Sequence, residues 1–383
     1  MARTKRGRPR DLTTEAQAAA YLYSQGNDQA KIGAVLGVSQ GEVSRLVAFA
    51  RREGWIQTRC VLPESAVRAV EQLVFFGRNE LRDKLRREAD RHGAPVVRDI
   101  RVLHSGGESG AADEWDARLN RFGRLAAPRL QELLPRMRLV GVTWGKTIAR
   151  VVDGLRLLNP HAPASSRPPR FVPLTGEPLT YPDPETSSST LAHRLGEIFS
   201  PGLHPLHSLA AVPAFIPAKF PRKSQTTIRD FIAEIAGYRM IFEHTDPEGR
   251  PQEPLVDRLD TIITGVGTVS PGVSGRILDD RVVAERVTKE QLQDRAVGDI
   301  GGVFLPRHAR DRVVRGINER WTGVRLEHIR ACAVAASRDH SRAGVIVLSM
   351  GAAKAQITLE CVRAGLITEL ILDHDLATAL LAQ

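Results

Sequence analysis

Leu139-Val140-Gly141-Val142-Thr143-Trp144-Gly145-Lys146-Thr147 is a short apolar run that breaks at a glycine-bearing turn. The run has the length of a buried strand, and Gly145-Lys146-Thr147 opens a helix behind it. Outward from this stretch, from Val96 to the C-terminus, the same alternation recurs. It predicts strands over Val97–Leu103, Leu139–Val142, Arg170–Leu174, Ser208–Val212, Thr261–Thr264, Cys332–Ala336, Gly344–Leu348 and Glu369–Leu372. Helices such as Arg121–Leu134, Ser189–Ile198, Thr226–Tyr238 and Lys354–Ala364 lie between them. Strands alternating with helices indicate a large α/β domain. Asn159–Pro184, outside its strand, and Thr245–Pro254 are rich in proline and polar residues and read as surface loops.

Besides Gly141–Thr147, three more turns that follow strands carry glycine: Thr175-Gly176-Glu177, Gly265-Val266-Gly267-Thr268 and Ser349-Met350-Gly351-Ala352-Ala353-Lys354. In an open α/β sheet, ligands sit beyond the carboxyl ends of the strands. Glycine lets backbone amides approach an anion there, while Thr, Ser and Lys add hydroxyls and charge. Candidate ligand contacts are therefore Thr143, Gly145, Lys146, Thr147, Thr175, Gly176, Gly265, Gly267, Asp299 and Lys354. The 145–147 turn and Lys354 are placed to hold an anionic group, and Gly265, Gly267 and Asp299 to line a hydroxyl-bearing part. Glu177 either repels a phosphate or binds hydroxyls. The first turn is not a Walker A loop, because Gly141 falls one residue short of that spacing, and Gly265-x-Gly267 does not extend to a dinucleotide fingerprint. Any one of these glycines serves a bare turn equally well; four turns together point to a small-anion or sugar site.

The first sixty residues follow a different pattern. Leu12–Gln25 reads as a helix capped by Thr13 or Thr14, with Ala18, Ala19, Leu22 and Tyr23 inward, and Gly26-Asn27 ends it. Gln29–Leu36 is a second short helix with Ile32, Val35 and Leu36 inward. Gly37-Val38-Ser39 is then a tight turn, an apolar plug and a cap. A third helix, from Ser39 to about Arg52, turns Val43, Leu46, Val47 and Ala50 inward at i, i+3, i+4, i+7. Its outward set is Gln40, Gly41, Ser44, Arg45, Arg51 and Arg52. Short polar residues followed by arginines suit a helix entering a DNA major groove, with Gln40 and Ser44 at base edges and Arg45 at a base or phosphate; Ser39 and Arg51 are further candidate DNA contacts. Gly54-Trp55-Ile56 begins a strand or wing. The opposing reading is a plain three-helix bundle with a solvated basic face. Ahead lies Lys5-Arg6-Gly7-Arg8-Pro9-Arg10, in which Arg6 and Arg8 either follow a narrow minor groove, as in an AT-hook, or add only phosphate attraction.

Charge supports the DNA reading. The 383-residue chain has a formal net charge of +10, and residues 1–60 carry ten Lys/Arg against five Asp/Glu. Half of the excess thus sits in under a sixth of the chain, as expected of a module that meets a polyanion. With 42% hydrophobic and 26% charged residues the chain has enough apolar content for a large core. The basic N-terminus leads into polar sequence rather than a signal peptide, and no run approaches the roughly 20 apolar residues of a membrane helix. The three cysteines are far apart and form no paired-ligand motif. The expectation is a cytoplasmic protein without metal or cofactor. No nucleophile–base pair or metal-ligand spacing emerges among the 11 histidines, so no catalytic residue is assigned. The alternative is a sugar-phosphate isomerase-like enzyme tethered to DNA, with Asp299, Glu177 or Asp373 as base; a ligand-free architectural DNA binder is a third reading.

Glu64–Arg91 has a helical stripe of Val67, Val70, Leu73, Val74 and Leu81, extended by Leu85, and ends in dense mixed charge. It either dimerises the DNA-binding modules or packs on the neighbouring domain; dimerisation is the favoured reading, since one helix-turn-helix module contacts only one half-site. The expected division is a basic arm at 1–11, a helix-turn-helix domain at 12–60, a connector at 61–95 and an α/β domain at 96–383.

Taken in order, these landmarks resemble one family. Gly37-Val38-Ser39 with Val43-Ser44-Arg45-Leu46, Val140 through Thr147, Ala211-Val212-Pro213-Ala214-Phe215, Gly265-Val266-Gly267, Ala296-Val297-Gly298-Asp299-Ile300 and the closing Ala352-Ala353-Lys354 are similar to the SorC family (SorC/DeoR-type) of bacterial sugar-responsive transcriptional regulators. The resemblance implies a winged-helix-like N-terminal module bound to double-stranded operator DNA. It also implies an effector domain similar to sugar-phosphate isomerase and CoA transferase folds, a phosphorylated sugar or polyol as effector, and a dimer or tetramer. Two departures are Thr175-Gly176-Glu177, where the family has a glycine-rich sequence, and Gly351-Ala352, where it has a glycine pair.

Overall fold

A computed structural model describes residues 12–56, 78–106, 112–158, 167–179, 184–203, 207–246, 248–270, 282 and 285–383. The chain divides into two units, residues 1–70 and 71–383. In the first, α1 (Leu12–Ser24), α2 (Gln29–Leu36) and α3 (Gln40–Arg52) enclose a core of Ala16, Ala19, Ile32, Val43, Leu46 and Val47. Asp28 caps α2 by accepting from the Lys31 amide at 2.8 Å, and Ser39 caps α3 by accepting from the Glu42 amide at 3.2 Å. Gly37 turns the chain between them with φ 67°. Gly33 has no room for a side chain, because a Cβ there would lie 2.8 Å from the Val38 carbonyl oxygen.

Three expectations for this unit change. Thr13 and Thr14 lie inside the first turn of α1 rather than at its cap, and Val35 is 68% exposed rather than inward. Gly54–Ile56 is a turn, with Trp55 edge-on to Phe49 at 5.7 Å between ring centroids, and not a strand. Arg6, Arg8, the remainder of the wing and the first part of the connector stripe (Val67–Val74) lie outside the described residues.

In the second unit the strands are β1 (Asp99–Leu103), β2 (Leu139–Val142), β3 (Arg170–Pro173), β4 (Thr261–Thr264), β5 (Val266–Thr268), β6 (Ala296–Ile300), β7 (Val303–Pro306), β8 (Gly344–Ser349) and β9 (Glu369–Asp373). Six form a parallel sheet in the order β1-β9-β8-β4-β2-β3, and β5-β6-β7 form a small antiparallel sheet. The described helices are α4 (Arg78–Arg91), α5 (Ala112–Leu133), α6 (Lys146–Leu158), α7 (Ser188–Phe199), α8 (Arg222–Glu234), α9 (Ala236–Phe242), α10 (Lys289–Arg295), α11 (Arg312–Glu319), α12 (Leu326–Arg338), α13 (Ala355–Arg363) and α14 (His374–Ala382).

The inner strands are covered on both faces, which is why β4, β8 and β9 are buried along their whole length. Alternate side chains go to opposite layers. Ile263, Ile346, Leu348 and Ile371 meet α5, α6 and α7, while Ile262, Val345, Val347 and Leu370 meet α4, α12, α13 and α14. The α5–α6 contact is backbone-close: a Cβ at Gly123 would stand 2.2 Å from the Arg150 carbonyl oxygen. Gly123→Ala should therefore destabilise the fold by about 1–3 kcal/mol, as overpacking does. A urea titration checks it; an unchanged midpoint would show that the helices part without cost.

The connector helix α4 buries Leu81, Leu85 and Ala89 in the core of this second unit. Glu88 accepts from Arg363 of α13 at 2.7 Å, and Lys84 Nζ donates to the Leu381 carbonyl of α14 at 3.2 Å. Two predicted strands are absent. Ser208–Val212 is a turn whose Leu209 and Val212 plug the core, with the Leu209 amide donating to Ser189 Oγ at 2.9 Å. Cys332–Ala336 lies inside α12, which buries Ile329, Cys332, Ala333 and Ala336 at helical spacing. The single helix predicted over Thr226–Tyr238 breaks at Ile235 into α8 and α9.

Candidate functional site

In the sheet order, β2 leads outward to β3 on one side, and the chain after β4 reaches β8 on the other. The crevice beyond the carboxyl ends of β2 and β4 is thus a topological switch point, where open α/β sheets take their ligands. Thr143 follows β2 directly, is fully buried, and donates through Oγ1 to Thr264 Oγ1, the end of β4, at 3.0 Å. The β6–β7 turn, Gly301-Gly302, is wedged above them. A Cβ on Gly301 would lie 3.2 Å from Thr143 Cγ2, and one on Gly302 would lie 2.2 Å from the Trp321 ring. Trp321 in turn packs edge-on to Trp144 at 5.4 Å between centroids, closing an apolar wall beside the crevice.

Asp299 pairs across the small sheet with Gly267, and its carboxylate occupies the space a Cβ there would need. Its Oδ1 accepts from the Gly302 amide at 3.0 Å. Lys354 ends a short turn, Ala352–Lys354, entered through Gly351 at φ 94°. Burial pulls the Lys354 ammonium below its usual range, while the nearby Asp299 and Asp373 carboxylates pull it back up. Asp373, 1% exposed at the end of β9, accepts from the Gly351 and Leu376 amides at 2.9 and 3.1 Å and from Arg118 at 3.2 Å. Its burial raises the carboxyl above the ordinary range. Arg118 also bonds Asp375 and lies over the Trp115 ring.

The structure therefore gathers Thr143, Gly265, Gly267, Asp299 and Lys354 around the ends of β4 and β8. The Gly265 carbonyl accepts from the Gly301 amide at 3.4 Å. Gly145, at φ 136°, spends its own amide on the Thr186 carbonyl at 3.1 Å and begins α6, with Lys146 exposed and Thr147 half-buried. Lys146 and Lys354 stand at the starts of helices on opposite faces of the sheet, above strands two places apart, roughly 10 Å by strand spacing. Thr175 and Gly176 lie beyond β3; Gly176 sits under the Val212 carbonyl, where a Cβ would come within 2.3 Å.

Thr264, Arg118, Ser349 and Gly301-Gly302 escaped the sequence reading. The usable signal was position: Thr264 and Ser349 are the last residues of two strands, and a polar residue there faces the crevice edge. A surface depression at the other end of β3, lined by Arg170, His193, Glu197 and Ser200 among others, lies away from these strand ends. Among the described residues, no group of three or more His, Cys, Asp or Glu is placed to hold a metal, and no helix is long and apolar enough to cross a membrane.

In the first unit, Gln40, Ser44 and Arg45 are exposed on α3, and Ser39 is engaged as its cap. Arg45 Nε reaches back to the Gly41 carbonyl at 3.4 Å. Arg51 is tied to the module itself, donating to Tyr23 Oη at 2.9 Å with its guanidinium over that ring.

Residues 90–242 and 253–382 match the family described as "Putative sugar-binding domain". The fold is similar to that of the full-length sorbitol operon regulator SorC from Klebsiella pneumoniae, at 18% identity and TM-score 0.53, covering 97% of this chain and 99% of that one. A domain of a possible sugar-binding transcriptional regulator from Arthrobacter aurescens TC1 matches at 23% identity and TM-score 0.52, covering 79% and 97%. A transcriptional regulator from Streptococcus pneumoniae TIGR4 matches at 16% identity and TM-score 0.53, also covering 79% and 97%. A search of curated protein sequences returns no match.

Proposed function

The chain belongs to this sugar-binding-domain family and shares the fold of full-length SorC, and on that premise we propose that it is a transcriptional regulator whose operator affinity answers to a sugar or sugar phosphate. The observation that carries the proposal is the switch-point crevice: hydroxyls, a lysine and carboxylates converge on glycine turns there, beyond the strand ends. Asp299 accepts hydrogen bonds from sugar hydroxyls, with Gly265 and Gly267 allowing close approach. An anionic group of the effector is held at the start of α6, by Lys146, Thr147 and the free amides of the first turn, with Lys354 reaching in from the opposite face.

The DNA-binding part is α3. Its exposed Gln40, Ser44 and Arg45 lie on one side of a helix whose other side is core, the arrangement a major groove admits. Arg51, held on Tyr23, is a phosphate contact rather than a base reader. Homo-oligomerisation, as a dimer or tetramer, supplies the second half-site. Arg45→Ala should weaken binding to the promoter of the chain's own operon by about 1–3 kcal/mol if Arg45 grips a base. A phosphate role instead weakens all sequences alike and flattens the salt dependence. Gel-shift titrations decide; unchanged affinity in both Arg45→Ala and Gln40→Ala would rule out α3 as the reading helix.

A further inference from the structure

We propose that the loop after β3 is a second hydroxyl-recognising part of the effector site, beside the one at Asp299, where Thr175 Oγ1 and Glu177 Oε1 take hydrogen bonds from adjacent hydroxyls of an uncharged part of a sugar or polyol. The inference rests on the regulator reading and deepens it. Among the described residues, the fully buried Thr175 has no partner for its Oγ1, and Glu177 Oε1 is likewise buried without one. Buried polar atoms left unpaired are costly and rare in folded chains, so two of them two residues apart call for a missing donor.

The loop is held rigidly in place for that task. The Ser188 hydroxyl donates to the Val142 carbonyl at 2.6 Å and accepts from the Leu174 amide at 2.9 Å, which locks the ends of β2 and β3 together. Glu177 gives its amide to the Val212 carbonyl and takes the Ala214 amide on its own carbonyl, both at 2.8 Å. Gly176 is pressed against the backbone of Val212 and Pro213. Ser187 lies beside the Glu177 carboxylate, and its neighbour Thr186 accepts the Gly145 amide, so the two acceptors stand beside the start of α6. A hydroxyl ligand can donate to the carboxylate and both donate to and accept from the threonine. A phosphate is excluded by the carboxylate's charge and belongs at Lys146 and Lys354. Burial pushes the Glu177 carboxyl above the usual range, and a donated ligand hydrogen bond relieves that unfavourable charge.

The experiment compares melting of the full chain with that of Glu177→Gln and Thr175→Val. Four- to six-carbon aldoses, ketoses and alditols are added, each with and without a terminal phosphate. Without additive, Glu177→Gln should melt at or above the wild-type temperature, because it removes a half-buried charge that burial disfavours. The folded-state pKa of Glu177 lies above its unfolded value, so its contribution is most favourable in acid and is lost as pH rises. The wild type should therefore gain on the variant as pH is lowered from neutral toward the ordinary carboxylate range. At least one compound should raise the wild-type melting temperature, with the rise at least halved in each variant. A lower, pH-independent melting temperature for Glu177→Gln would make the residue structural and overturn the assignment. Equal shifts in wild type and variants would overturn it while leaving an effector site at the crevice. No shift by any compound would overturn both.

Discussion

Replacing Arg129 by methionine is expected to cost about 3–5 kcal/mol of folding free energy, the penalty for stranding a buried charge. Arg129 on α5 forks onto Glu369 at the start of β9, with contacts of 3.0 to 3.2 Å, and also reaches Asp99 at 3.2 Å and Glu132 at 3.0 Å. The side chain of Glu369 is only 7% exposed. Burial pushes its carboxyl above the ordinary range, and Arg129 is the main pull in the other direction. Without Arg129 the carboxylate sits beside Asp99 with less compensation, on the pair of strands that closes one edge of the sheet. The pH dependence has a definite sign. A folded-state pKa raised above the unfolded one means that the contribution is favourable in acid and lost as pH rises. The deficit of Arg129→Met should thus be smaller at pH 5 than at pH 8. Urea titrations at the two values measure it. A deficit under 1 kcal/mol, or one that grows in acid, would mean that the network is surface decoration.

The second large effect concerns the response rather than the fold. Lys354→Ala should leave operator affinity in the absence of effector near the wild-type value and abolish the change that effector produces. Lys354 lies in the second unit, on a turn between β8 and α13, with Asp299 and Asp373 as its charged neighbours. Effector shifts an equilibrium only through contacts that differ between the two states, and removing such a contact removes the coupling. The check is an operator titration with and without the compound that raises the wild-type melting temperature. A normal response at wild-type effector concentration would rule Lys354 out as an effector contact.

Much of the architecture was legible because the large sheet is built from uninterrupted apolar runs. Leu139–Val142 and Thr261–Thr264 are strands with the predicted limits, since both are buried and end at a polar residue or glycine. The small sheet was not legible. Val266-Gly267-Thr268 and Ala296-Val297-Gly298-Asp299-Ile300 carry glycine in mid-strand, which weakens any strand signal. The glycines are there because Asp299 sits on Gly267, and because a Cβ on Gly298 would come within 2.3 Å of the Gly267 carbonyl oxygen and 2.9 Å of Ile357. Cys332–Ala336 misled for the opposite reason: a run of small apolar residues fits a buried strand and a buried helix alike, and alanine favours the helix. Of the candidate site, Thr143 just after β2 and Lys354 at the start of α13 could be named from their place in the strand–turn–helix pattern. Partners supplied by distant segments, Thr264 to Thr143 and Arg118 to Asp373, could not, because spacing along the chain carries no record of them.

The pairing of β1 with β9 has a consequence for the order in which the protein is made. β1 occupies an edge of the sheet, and its one neighbour begins about 270 residues later, within the last fifteen residues of the chain. The helix α4, which precedes β1, likewise rests on α13 and α14. On a ribosome the three N-terminal helices emerge complete, with their contacts all local, and fold while synthesis continues. β1 and the apolar face of α4 lack these partners until residues 355–382 have been made. For that interval the nascent chain carries three folded helices and an open sheet, so loss of β9 and α14 leaves β1 unpaired and the unit without its closing edge.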